Sequence, residues 1–188
     1  MHPEILSLFL FMLGTSCSPG PNNIVASYSS FNFGIIKTFP HMLGVIIGFT
    51  TMVCVVNFGL INIFKIYAII QEILKITGSV FLIYLAYKIA FASKLDEKKK
   101  ENPVKFIDTF LFQFFNPKGV IVGIILVSTY VESGDNFLNY SFWVISISFL
   151  CAVISITFWT LIGKFLSKFA TNEKFIKLFN YVMSLLLI

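Results

Sequence analysis

Ile5–Ile36 reads ILSLFLFMLGTSCSPGPNNIVASYSSFNFGII, a run without one charged side chain whose middle is Pro19-Gly20-Pro21-Asn22-Asn23. The run is longer than the ~20 residues that cross a bilayer core. Its centre holds the residues least able to continue a helix. Proline removes a backbone donor and clashes with the preceding turn. In lipid the backbone groups freed by such a break have no water to meet. A break is therefore tolerated only where protein buries it or where it lines a watery cavity. A second break, Asn116-Pro117-Lys118, sits in the middle of another apolar stretch. Paired breaks in the two halves of a chain point to a transport site.

The rest of the sequence fits this reading. The 188 residues are 57% hydrophobic and 12% charged, with a mean hydropathy of +0.87. Soluble domains carry about 25% charged residues, so this chain has too little polar surface to coat itself. Thr38–Phe64 and Asn136–Gly163 are likewise free of charge. The net charge of +5 comes entirely from lysine on the basic side, with no arginine. Lysines clustered at span ends are membrane anchors, which makes nucleic acid an unsuitable partner. Cys17, Cys54 and Cys151 lie apart inside apolar spans, without CxxC spacing or a nearby histidine. They read as small packing residues and give no disulfide framework, metal site or cofactor site. The first apolar stretch has no basic leader and outruns a signal peptide, so it reads as a true span.

Six spans are expected, at about Glu4–Ser30, Phe39–Phe64, Gln71–Ala92, Phe106–Val131, Phe137–Phe165 and Asn172–Ile188. The last is short: Phe175–Ile188 would rise only about 21 Å at ~1.5 Å per residue. The lysine bias sets orientation. Lys37, the cluster Lys94 to Lys105, and Lys164, Lys168, Lys174 and Lys177 fall on one side of a six-span threading. That side is cytoplasmic, and both termini face outward. The charged segment at about 93–105 divides a single transmembrane domain into repeat one (about 1–92) and repeat two (about 106–188). Each repeat crosses the membrane an odd number of times, so the second is inverted relative to the first. The fold expected is an all-α polytopic membrane protein, six helices in two inverted three-helix repeats, with helices one and four broken.

Pro19, Gly20 and Pro21 should unwind the first helix. From about Asn22 a fresh half-helix should begin, its positive end suited to a carboxylate. Asn22 and Asn23 add neutral amides. The plainer alternative is a proline kink closed by a neighbouring helix. In the second break, Lys118 is the one charge in the core of span four, too deep to snorkel easily. A lysine there costs about 2.5–3.5 kcal/mol on insertion scales and is a functional hypothesis by default. It could bind a substrate carboxylate or titrate. Alternatively it pairs with carbonyls freed around Pro117. Asp108, about two turns earlier, and His41, at the inner end of span two, are the candidates for proton coupling. Each has a plainer role, Asp108 as a solvated helix-start residue and His41 as an interfacial one. Gly44/Gly48 and Gly119/Gly123 form GxxxG pairs suited to close packing within the chain or across a homodimer. The aromatic residues are expected at the lipid face and the interfaces.

Together these motifs resemble the LysE/RhtB family of amino-acid exporters. The likeness rests on Pro19–Asn23, Gly34, Pro40-His41-Met42-Leu43-Gly44, Thr77-Gly78, Tyr84-Leu85-Ala86-Tyr87-Lys88 and Phe112-Gln113-Phe114-Phe115-Asn116-Pro117-Lys118. It covers nearly the whole chain in order. It departs at the short last span and around Phe31–Phe33, where small and basic residues were expected. The resemblance implies a six-span exporter of the bacterial inner membrane, driven by the proton gradient. It also implies substrate binding by Pro19, Gly20, Pro21, Asn22, Asn23, Gln113, Asn116, Pro117 and Lys118. The buried charge is positive and no acid sits at mid-depth, so a neutral zwitterion suits best. Two other classes fit less well. A metal-ion transporter would need Cys, His or carboxylate ligands at mid-depth, and a transmembrane thiol electron carrier would need a cysteine in span four. No convergent Ser/His/Asp or carboxylate pair suggests an enzyme.

Overall fold

The computed structural model describes residues 4–60, 68–90, 104–132, 134–169 and 173–186, and contains only helices and short connections among them. The lysine-rich linker expected at about 93–105 lies, up to residue 103, outside the described residues. The helices are α1 (Ile5–Cys17), α2 (Pro21–Phe33), α3 (Ile35–Val55, continued by a π-helical turn Val56–Leu60), α4 (Ala68–Ala90), α5 (Phe106–Phe115), α6 (Pro117–Tyr130), α7 (Phe137–Leu166) and α8 (Glu173–Leu185). Among the described residues two helices are long and apolar enough to cross a membrane alone, Ile35–Gly59 with 25 residues and Phe137–Phe169 with 33. At ~1.5 Å per residue the shorter already exceeds a ~30 Å core. The pair α5 and α6 passes the same test as one span bent by 60°.

Both expected breaks are present, and proline sets where each helix restarts. Pro21 and Pro117 each occupy the first turn of the new helix, where a missing N–H costs nothing. Unwinding in the first break is confined to Ser18–Gly20, so Asn22 and Asn23 stand in the first turn of α2.

One expected loop is absent. The segment between spans one and two is a single-residue corner at Gly34, and the second long helix starts at Ile35 rather than near Phe39. Gly34 takes φ +84°, a conformation that costs other residues but not glycine. Thr38 Oγ1 closes the corner by donating to the Gly34 carbonyl at 2.9 Å. Pro40 lies inside α3 without ending it.

α7 is the central helix and runs against α1, α2 and α3, while α3 also packs on α5. Small residues make these approaches close, as membrane interfaces require. A Cβ on Gly44 would sit 2.7 Å from Thr109 Cβ, and one on Gly48 2.8 Å from Gln113 Cγ. The first GxxxG pair therefore holds α3 against α5 within the chain. Gly119 and Gly123 face Phe49 and Met52 of α3. A smaller cluster joins α2, α4 and α8 through Ile24, Tyr28, Phe31, Ala86, Ile89, Phe179 and Met183. Phe31 stacks on Phe179 at 3.9 Å, which gives the unexpected phenylalanine at this position a packing role. The outward faces are apolar: Ile69, Ile73, Ile76, Val80 and Ile83 of α4 are all exposed. Buried serines and threonines such as Ser27, Ser30, Ser148 and Thr160 sit inside instead. That inside-out distribution belongs to a protein solvated by lipid.

Candidate functional site

Breaking a helix at Pro19-Gly20-Pro21 orphans four carbonyls. In an unbroken helix Ser16 to Pro19 would accept from the amides of residues 20 to 23. Proline at 21 has no N–H, and unwinding takes the others away. Each of the four carbonyls has found a side-chain donor. Ser155 Oγ of α7 donates to the Ser16 carbonyl at 2.6 Å, and Asn23 Nδ2 reaches the same oxygen at 2.7 Å. Trp159 Nε1, also of α7, donates to Cys17 at 3.0 Å. Asn23 Nδ2 donates to Ser18 at 3.0 Å. Lys118 Nζ, from the second break, donates to the Ser18 carbonyl at 2.9 Å, the Ser18 hydroxyl at 2.8 Å and the Pro19 carbonyl at 3.2 Å.

An ammonium has three N–H donors, and those of Lys118 are all committed to the first break. The charge spent on freed carbonyls is thus real, but the carbonyls belong to the opposite half of the chain and not to the surroundings of Pro117. Gly20 makes room for it: a Cβ there would lie 2.9 Å from both Cδ and Nζ of Lys118.

A second tie lies beside the first. Asn22 Nδ2 donates to Gln113 Oε1 at 2.8 Å, and Gln113 Nε2 donates back to Asn22 Oδ1 at 3.1 Å. Gln113 is fully buried and also donates to the Thr109 carbonyl at 2.8 Å. In a double-mutant cycle of Asn22→Leu and Gln113→Leu, a coupling of about 0.6–2 kcal/mol is expected, the range found for interhelical hydrogen bonds in membranes. Reversible unfolding in detergent measures it, and a coupling of zero would remove the pair as a tie.

His41 corrects the interfacial expectation. It is buried, at 2% exposure, with Nδ1 2.9 Å from Thr109 Oγ1 and Nε2 3.0 Å from the Asn22 carbonyl. A carbonyl only accepts, so Nε2 carries the proton in the neutral ring, and Thr109 then donates to Nδ1. Asp108 is exposed in the first turn of α5, where its charge suits the helix dipole. Trp159 corrects the lipid-facing expectation for aromatics, since it caps the first break. Serines and a tryptophan in apolar helices carry no motif, so Ser16, Ser18, Ser155, Trp159 and Thr109 escape a sequence reading. Only the fold brings them to the carbonyls.

One cavity opens where the two breaks meet. Its interior volume is about 60 Å³. Gly20, Pro21, Asn22 and Asn23 line it from the first break, Asn116, Lys118 and Gly119 from the second, and Phe49 and Ser155 from α3 and α7. Of the residues expected to bind substrate, Pro19 is exposed, while Gln113 and Pro117 support the wall without lining it. Among the described residues no acidic side chain lines the cavity. The N-termini of α2 and α6 both end at it, neither with a side-chain cap. Their first-turn amides carry partial positive charge, and Lys118 adds a full one. The cavity is thus built for an anionic group. Among the described residues no three His, Cys, Asp or Glu side chains converge to hold a metal ion.

Comparison with known proteins gives a consistent picture. Residues 13–188 match the family described as LysE type translocator. The chain is 32% identical to a cysteine/O-acetylserine efflux protein of Salmonella paratyphi A, over all of this chain and 96% of that protein. It is 31% identical to the protein of the same description in Salmonella typhimurium, with the same coverage. For the one in Escherichia coli K12 the figure is 28%, again over all of this chain and 96% of the relative. No solved structure matches.

Proposed function

We propose that this chain, which belongs to the LysE type translocator family, exports small neutral amino acids from the bacterial cytoplasm across the inner membrane in exchange for protons. Cysteine and O-acetylserine, which the relatives' descriptions name, are the first substrates to try. The observation that carries this reading is the cavity lined by both helix breaks, cationic and, among the described residues, free of acidic side chains. A carboxylate suits the helix ends and Lys118. A cationic side chain has no counter-charge there. A metal-ion transporter would want a ligand cluster, and a thiol carrier a cysteine at each break, and neither arrangement occurs among the described residues.

The same observation supports a mechanism. The two breaks belong to the two proposed inverted repeats, within six spans whose lysine-rich loops face the cytoplasm and whose termini face outward. Several of the ties described above cross the seam between them: Lys118 to Ser18 and Pro19, Gln113 to Asn22, Thr109 to His41, and Ser155 and Trp159 to the first break. Apolar side chains of both repeats also pack across this seam, and the hydrogen bonds beside them can open and re-form. Rocking of one repeat on the other would move the cavity from inward to outward access. His41, buried on that seam with two polar partners, is the best-placed group for carrying a proton.

A resistance screen tests the export reading. Cells expressing the chain should tolerate toxic analogues of small neutral amino acids better than cells without it, and unchanged sensitivity across the set would overturn it. Collapse of the proton gradient should raise intracellular substrate in the expressing cells. An unchanged level would remove proton coupling while leaving export in place.

A further inference from the structure

Asn116 stands at the position just before the first turn of α6, where asparagine ordinarily caps its own helix. Here it does not: the helix has no side-chain cap. Asn116 is 3% exposed, lines the cavity, and its Oδ1 is buried without a hydrogen-bond partner. An unmade hydrogen bond of this kind is costly, and native structures keep few of them. The helix ladder starts only with the Val120 amide, which donates to the Asn116 carbonyl at 3.0 Å. The amides of Lys118 and Gly119 therefore precede the ladder, at the uncapped positive end. Gly119 adds no side chain over the Asn116 amide: a Cβ there would lie 3.7 Å from Asn116 Cγ.

One turn of α6 thus offers two unsatisfied functions side by side, a lone acceptor and a set of free donors. We infer that this turn is the recognition site for the α-carbon of the substrate, the free amides of Lys118 and Gly119 holding its carboxylate and Asn116 Oδ1 its ammonium group. The inference rests on the export reading above and deepens it. In an α-amino acid the two charged groups hang on one carbon, so a single helical turn can supply both partners. The ammonium of Lys118 is already committed to Ser18 and Pro19 and acts as a fixed positive charge near the carboxylate. The substrate class follows: α-amino acids, and not carboxylates that lack an amino group.

The test uses the purified full chain in proteoliposomes under reducing conditions, with transport of labelled cysteine inhibited by unlabelled cysteine or by 3-mercaptopropionate. The second compound keeps the thiol and carboxylate and lacks the ammonium. The wild-type protein should bind 3-mercaptopropionate about 10- to 100-fold more weakly than cysteine, the value of a charged hydrogen bond. In Asn116→Leu the two inhibition constants should converge, through weakened cysteine. Asn116→Asp, which keeps an acceptor of the same size, should retain cysteine and weaken 3-mercaptopropionate further. A cysteine preference unchanged in either variant overturns the inference while export stands. Failure of the wild-type protein to move cysteine or O-acetylserine overturns the export reading, and this site with it.

Discussion

Replacing Lys118 by Met is expected to abolish efflux, with initial rates falling about 100-fold or more, while the protein still inserts. Lys118 Nζ serves the Ser18 carbonyl, the Ser18 hydroxyl and the Pro19 carbonyl. Methionine fills a similar volume and serves none of them. Two carbonyls of the first break would lose this donor, although Asn23 still reaches Ser18. Hydrogen bonds to a charged group are worth about 1.5–3 kcal/mol each, and each 1.36 kcal/mol lost from the transport transition state is tenfold in rate. The cavity would also lose its one full positive charge, and with it the attraction for a carboxylate. Lys118→Arg should fare little better. The guanidinium is wider, and Gly20 already leaves room for the lysine alone. Labelled cysteine efflux from cells with matched membrane levels of each variant measures this. Wild-type rates in Lys118→Met would remove the lysine from transport.

The places where the sequence reading succeeded share a physical cause, as do those where it fell short. Proline and glycine act on their own backbone, so the two breaks and the restart of each helix at Pro21 and Pro117 were readable locally. Lys118 was readable because one charge in an apolar span has no ordinary explanation. What the sequence could not supply was the partner. Lys118 meets Ser18, Trp159 meets Cys17 and Ser155 meets Ser16 across the whole chain, and serine and tryptophan in a membrane helix suggest packing or an interface first. His41 was placed at a membrane surface because it stands at the inner end of span two. Its burial depends on the Gly34 corner, which starts α3 early, and on Gly44, which lets Thr109 approach. The short α8 was visible in advance; its docking on α2 through Phe31 and Phe179 was not, since two phenylalanines so far apart carry no pairing signal.

Gly78, the one glycine of α4, should not be replaceable by a larger residue. A Cβ there would overlap the Phe115 carbonyl oxygen and lie 2.8 Å from Pro117 Cδ. Both atoms belong to the rigid frame of the second break, unlike the flexible lysine tip that faces Gly20. A side chain at 78 must therefore push α4 off the α5–α6 corner or change the 60° bend between those helices. Either movement displaces Asn116, Lys118 and Gly119, the residues through which the second break reaches the cavity. Overpacking of this kind typically costs about 1–3 kcal/mol, so Gly78→Val is expected to lower the thermal midpoint of the detergent-solubilised protein by roughly 5–10 °C. Efflux should fall to background, because a site held by hydrogen bonds fails on displacements too small to unfold the chain. Gly14→Ala is the matched control. Nothing lies within 4 Å of a Cβ there, and alanine favours a helix interior over glycine by about 0.5–1 kcal/mol, so neither midpoint nor efflux should drop. Equal behaviour of the two variants in both measurements would mean that α4 does not buttress the second break.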